Sequence, residues 1–385
     1  MFKSRICFPL AKSAIRVNYR TKVSSVVGLT CRTNENNPIY HSHQHEGHFY
    51  KLQDETKKTL FYYGGLPKSF KDFTNSVNEF CVMIRKPALD IITCLKEHSR
   101  LGDPVVKYAL YGKPGTGKSL SLAHIIHYGS EAGFFLVHVP WAANWFRRSK
   151  EIVPSSIGSA KYDHHFESVE WLKHFNLQNS ILLEKLKLKT SETYSWSKRE
   201  ITEKGVHLSE IIEFGVNRGK YASACIVALL NELKLAACGN KCQVLVAVDG
   251  FNSFFSPRTR LMLEDKSKIL PKDCTLTDAF LSMTKSDWIN GAVIVTIDEL
   301  AHPLEVRESF YPRYLLGREG FEHLDPFIPI KVENYTEKEM ISQIDYYVER
   351  KWLQQKVTDS VQGIIELSHI TGNHPFTLMK TVAPN

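Results

Sequence analysis

The sequence predicts an α/β fold: a parallel five-stranded sheet with helices on both faces, followed by a small helical lid. Three observations carry this reading. Short continuous apolar runs alternate with helical stretches, as in a parallel sheet covered on both faces. The first run, Val105–Tyr111, leads straight into the glycine loop Gly112-Lys113-Pro114-Gly115-Thr116-Gly117-Lys118-Ser119 and then a helix. The third run, Val244–Val248, ends on an acid, Asp249.

The glycine loop fits G-x-x-x-x-G-K-[ST] in full, and it lies between a strand and a helix, the context that gives the pattern meaning. Glycines let backbone N–H groups curl around a phosphate without Cβ clashes. The helix that follows turns its positive end to the same anion. Lys118 can reach the outer phosphates and the Ser119 hydroxyl can coordinate magnesium. Residues Gly112 to Leu120 are therefore expected to bind a purine nucleoside triphosphate, GTP or ATP, or its diphosphate, with Mg2+.

The other strands follow in order: Phe134–Val139, Val244–Val248, Ala292–Ile297 and Phe327–Val332, the last marked as an edge or irregular strand by Pro329. Two of them end on acids that could hold hydrated magnesium, Asp249-Gly250 and Asp298-Glu299. Asp298-Glu299 better matches a hydrophobic run followed by Asp-Glu. Strand order favours Asp249. In P-loop folds of the additional-strand class, the AAA+ and STAND type, the magnesium aspartate closes the third strand and a polar sensor, here Thr296, closes the fourth. Hydrolysing relatives carry a glutamate beside that aspartate to orient water. Gly250 stands there instead, so weak or absent turnover is expected, with Glu299 the candidate substitute. Arg307, Arg313 and Arg318 lie where an arginine finger would, or are surface charge or RNA phosphate contacts. Thr371–Phe376 resembles a lid turn that approaches nucleotide, with His374 the candidate, or simply starts a helix. Thr284-Lys285-Ser286-Asp287 looks like a guanine-reading element but precedes its strand, which argues for chance.

The remaining chain sets the organisation. The 385 residues are 43% hydrophobic and carry a net charge of +8, which favours anionic partners. No run approaches the roughly 18–20 continuous apolar residues of a membrane span, so no transmembrane helix is expected. The eight cysteines show no CxxC pair and suit reduced thiols. Residues 1–34 are basic, contain serines and have no acid before Glu35. That is the pattern of a mitochondrial presequence, or else of a basic tail that grips RNA. Residues 35–100 form an arm and helices: a polar, His-rich surface stretch to about 60, then a helix through Phe80, Met83 and Ile84, then a second that Pro87 starts. Residues 101–332 form the nucleotide domain, with a helical insertion at about 141–220. Residues 333–385 form the lid. The insertion interleaves Arg147, Arg148, Lys150 and further lysines with Trp145, Phe146, Tyr194 and Trp196, which suits RNA or a solvated helical face.

Several stretches together resemble the death-associated protein 3 family, the P-loop proteins of the mitochondrial small ribosomal subunit. They are Arg32-Thr33-Asn34-Glu35-Asn36, Met83-Ile84-Arg85-Lys86-Pro87-Ala88-Leu89, the P-loop, Lys198-Arg199-Glu200, Leu245–Gly250 and Leu324–Ile330. The resemblance implies a place in the mitochondrial ribosome, in the matrix, with contacts to small-subunit ribosomal RNA and neighbouring ribosomal proteins. It also implies a bridge to the large subunit, a purine nucleotide on Gly112–Ser119 and a link to apoptosis. Asp298-Glu299 with His302, and the turn at His374, depart from the family pattern. That leaves a hydrolytic role for Glu299 open.

Overall fold

A computed structural model describes residues 31–97, 102–155, 161–257, 259–263, 265–302, 308–353 and 361–384. Its centre is a parallel sheet of five strands, numbered here within that sheet. They are β1 (Val106–Tyr111), β2 (Phe135–Val139), β3 (Val244–Val248), β4 (Gly291–Ile297) and β5 (Ile328–Lys331). Their spatial order is β5-β1-β4-β3-β2. β4 thus lies between β1 and β3, so the ends of these three strands meet at one place.

Alternate residues of each strand face opposite cores, as a pleat of period two requires. Leu245, Ala247, Ala292 and Ile294 face one side. There they meet α1 (Lys86–Glu97) and α2 (Lys118–Glu131). Val244, Val246, Val293 and Val295 face the other. That face is covered by α3 (His165–Leu186), α4 (Leu208–Asn217) and α5 (Ala222–Cys238). The segment Gly219–Cys238 has a mean hydropathy of 1.4 and the length of a membrane span, but 67% of it is buried in this core. It reads as a core helix of the α/β layer.

The lid comprises α6 (Glu337–Glu349), α7 (Val361–Thr371) and α8 (Pro375–Thr381). Its apolar residues form a third cluster, shared with the N-terminal arm.

The arm departs most from the sequence reading. Residues 31–34, assigned to a presequence, are tied into the fold: Cys31 is buried, and Thr33 N–H donates to Phe49 O at 2.9 Å. Residues 1–30 lie outside the described residues. The stretch to residue 60, read as a polar surface stretch, holds the strand Phe49–Lys51 and the helix Asp54–Phe61. Cys81–Met83, read as helix, is a strand antiparallel to Phe49–Lys51. The reason is two-sided burial. Phe80, Val82 and Ile84 face one core and Cys81 and Met83 another. The resulting continuous apolar run carries no period by which to tell strand from helix.

The fold buries an unusual set of histidines. Burial holds His41, His127 and His164 down at about 4, and His174 at about 3. His124 and His138 are also pushed well below 6.5 by burial. In the unfolded chain these groups take up protons near their ordinary value; in the native state they do so only at lower pH. Native stability is therefore full above about 6.5 and lost as pH falls toward 4. The melting temperature should hold above about pH 6.5 and fall from there to pH 5. A flat profile over that range would contradict this account.

Candidate nucleotide site

The site is built at the carboxyl ends of β1, β3 and β4. The loop after β1 curls because three glycines take positive φ: 148° at Gly112, 81° at Gly115 and 102° at Gly117. A Cβ on Gly112 would lie 2.4 Å from the backbone oxygen of Val332, so that position requires glycine. Among the described residues, the N–H groups from Gly115 to Lys118 have no acceptor. Such a set of donors at the amino end of α2 is a cradle for an anion. The residues present therefore fit a phosphate.

Lys118 is buried and well supplied with acceptors. Its Nζ donates to Gly112 O at 2.7 Å and Lys113 O at 2.8 Å. It also pairs with Asp298 Oδ2 at 2.9 Å. Asn252 holds the backbone of Asp298 through two hydrogen bonds of 3.0 Å. Thus the lysine of the loop leans on the acid of β4.

Asp249 at the end of β3 has different partners. The Thr296 hydroxyl donates to its Oδ1 and accepts from Gly250 N–H at 2.8 Å. Burial pushes the Asp249 carboxyl up to about 6, against hydrogen bonds from Thr296 and Ser119 that favour its charge. A carboxylate and a hydroxyl side by side are the hard oxygen donors that suit Mg2+, which takes one or two carboxylates and completes its shell with phosphate and water. The donor set fits that ion.

The position after Asp249 is strained and tight for a larger side chain. Gly250 has φ 73°. A Cβ there would lie 3.0 Å from the Trp141 ring. Glutamate at 250 would meet both backbone strain and the indole. Glu299 lies on a short 3-10 turn, Glu299–Ala301, just beyond Asp298.

The lid touches the loop directly. His374 Nε2 donates to Pro114 O at 2.8 Å. Its Nδ1 accepts from Thr377 N–H at 3.2 Å, which fixes the ring tautomer and caps α8. Phe376 N–H donates to Gly115 O at 3.3 Å.

Arg85, which ends the arm, was not singled out as a site residue by its chemistry. Its guanidinium forks onto Glu339 of α6 at 2.9 and 3.1 Å. It donates to Thr116 O at 2.6 Å and to Glu333 O at 3.0 Å. The position within Met83–Leu89 marked a segment of interest, but nothing local in the sequence links it to residue 116 or 339.

The structure therefore brings together Gly112–Leu120, Asp249, Thr296, Asp298 and His374, with Glu299 adjoining. Arg307 lies outside the described residues. Arg318 is exposed and pairs with Glu322 at 2.8 Å. Thr284–Asp287 sits at the opposite, amino end of β4, where Asp287 pairs with Lys234 at 2.7 Å; the loop and this element do not share a site. Of the insertion aromatics, Trp145 and Phe146 are core residues rather than surface. Tyr194 and Trp196 are half-buried and stacked, 5.6 Å apart.

Strand order, glycine loop and paired strand-end acids define a P-loop fold of the additional-strand class. Comparison with known proteins narrows this further. The family description "Mitochondrial ribosomal death-associated protein 3" matches residues 82–380, and the chain belongs to that family. It is 38% identical over 352 residues to small ribosomal subunit protein mS29 of Bos taurus, spanning 91% of this chain and 87% of that protein. With the Mus musculus mS29 the identity is 36% over 352 residues, spanning 91% and 89%. A solved structure of the Aeropyrum pernix ORC2 protein overlaps at a TM-score of 0.28 and 14% identity, over 77% of this chain and 65% of that one. That overlap adds nothing to the topology read from the sheet itself.

Removing Arg85 alone leaves Glu339 buried and unpaired, which should cost about 3–5 kcal/mol. Arg85→Met with Glu339→Met together should cost less than Arg85→Met alone. Urea unfolding of the three variants measures this coupling, and additive losses would argue against it.

Proposed function

We propose that this chain is a constituent of the mitochondrial small ribosomal subunit that holds a purine nucleotide with Mg2+ as a structural ligand. The reading rests on one observation above others. The loop presents a ring of backbone donors without acceptors, beside Lys118 and directly beneath the lid. The names of the bovine and mouse relatives support the ribosomal part. Residues Gly112–Leu120 would hold the phosphates, Lys118 would exchange part of its contact with Asp298 for them, and Ser119 and Asp249 would hold the ion. Thr296 keeps the Asp249 carboxylate turned toward Ser119. When bound, the ion neutralises phosphate charge and holds Asp249 ionised. On this reading the location is the mitochondrial matrix, among small-subunit ribosomal RNA and neighbouring proteins, at a bridge to the large subunit.

The residues around Asp249 support retention over turnover. Gly250 carries no base, and Trp141 crowds the position of a Cβ there. The alternative, an active oligomeric ATPase or signalling switch, would need Glu299 as base and Arg307 from a neighbouring copy.

Sedimentation of mitochondrial lysate with nucleotide analysis tests the proposal. The chain should travel with the small subunit and carry GTP, GDP, ATP or ADP. Lys118→Ala should lose at least about tenfold in nucleotide affinity, roughly 1.4 kcal/mol, with an unchanged circular dichroism spectrum. A free oligomer whose turnover is abolished by Glu299→Gln would sink the structural reading.

A further inference from the structure

We propose that the N-terminal arm, residues 31–85, is a strap that holds the lid shut over the P-loop and traps the bound nucleotide. This rests on the nucleotide reading above and adds how that site is closed.

The lid does not complete its own core. Met340, Ile344, Tyr346, Tyr347 and Leu378 of the lid form one buried cluster with Cys31, Phe49, Phe73, Cys81 and Met83 of the arm. Tyr346 stacks on Phe49 with centroids 4.3 Å apart and planes at 16°. Phe73 meets Trp352 edge-on at 4.9 Å. Swinging the lid away would expose both halves of this cluster to water, an apolar cost proportional to the area uncovered.

A charged seam runs along the same joint. Arg32 pairs with Glu79 at 2.6 Å and with Glu349 of the lid at 2.9 Å. Arg350 of the lid pairs with Glu79 at 2.9 Å. Glu79 is thus shared by an arginine from each side, and Tyr346 OH donates to it at 3.3 Å. Burial opposes its charge, but the arginines hold its carboxyl below the ordinary value.

The other side of the arm is fixed to the P-loop helix. His41 Nδ1 and His124 Nε2 share a hydrogen bond of 2.8 Å, and Asn37 Nδ2 donates to Glu131 at 3.2 Å. Arg85 closes the circuit from the arm to Thr116 O and Glu339. One segment is therefore bound to α2, to the loop and to the lid together.

The lid in turn packs directly on the loop. A Cβ on Gly115 would lie 2.7 Å from Phe376 Cβ and 2.8 Å from His374 Cε1. A nucleotide seated on the loop leaves only when this contact opens, and the contact opens only when the arm lets go. Exchange is then set by a sub-global opening of the fold rather than by a free hinge. It follows that nucleotide loads before the arm docks, during folding.

The test uses the full chain refolded with Mg2+ and a fluorescent guanine or adenine nucleotide, then chased with excess unlabelled nucleotide. Release from the wild type should take hours. Glu79→Gln and Phe49→Leu should each release at least about tenfold faster, an opening cost lowered by roughly 1.4 kcal/mol. Nucleotide added after refolding should fail to load. Release from the wild type within seconds, or equal rates in the variants, would overturn the strap. A second measurement needs neither variant nor ligand: native-state hydrogen exchange of the free chain. The amides of α6 should exchange together with those of the arm. If α6 exchanges early while Phe49–Lys51 stays protected, the strap fails whatever the nucleotide does. If no nucleotide binds under any condition, the proposed function fails, and hydrogen exchange still decides the strap.

Discussion

The guanidinium of Arg85 is the interaction on which the arrangement turns. It is buried, and a buried cation is tolerated only when its donors are all used and its charge is matched. Here the matching carboxylate is Glu339, itself held by a capping box at the start of α6 with Thr336. The remaining donors go to backbone oxygens of the phosphate loop and of the segment after β5. The Tyr335 ring lies 5.0 Å from the guanidinium carbon. Three segments distant in sequence, the arm, the phosphate loop and residues 333–339, thus share one charge. Because Thr116 O is pinned by that charge, the Thr116–Gly117 peptide is held with its N–H end pointing away from Arg85. The cradle is held in shape from behind before any anion arrives.

The sheet supplies a second constraint. β3 and β4 are neighbours, so the acids that end them sit side by side. Their environments divide the work. Asp249 is surrounded by hydroxyls and burial, so its charge is costly until a cation arrives. Asp298 already has a cation in Lys118. A bound phosphate would compete with Asp298 for that lysine, while a metal ion would relieve Asp249. The two events are complementary, since each supplies the charge that one acid lacks or releases. The residue beside Asp249 is Gly250, left-handed and packed against Trp141.

Much of this was readable in the residues. The central strands β3 and β4 are continuous, largely β-branched apolar runs, and the loop pattern is contiguous, so the fold class follows from local sequence. The choice of Asp249 over Asp298 rested on strand order, since topology fixes which strand ends are adjacent. The arm did not yield to the same reasoning. Its strand Cys81–Met83 faces two cores at once, which erases the alternation that marks a strand. His41 and Arg85 are polar residues that read as surface unless their partners are known, and those partners are 83 and 254 residues away. Long-range satisfaction of buried polar groups leaves no periodic trace in a sequence.

These constraints bear on what a nucleotide would do in such a fold. A ligand that binds only the native state stabilises it by mass action, about 4 kcal/mol at a thousandfold excess over its dissociation constant. That gain needs no hydrolysis; cleavage would remove the phosphate contacts that provide it. A site meant to retain its ligand should therefore lack a base, close from above and couple closure to the rest of the core. Gly250 under Trp141, the contact of His374 with Pro114, and the cluster shared by lid and arm meet these three requirements in turn. In an enzyme the lid must move each cycle, and a lid that completes its core with another segment could not do so cheaply. The same architecture that would slow a motor suits a protein whose task is to keep one shape within a larger assembly.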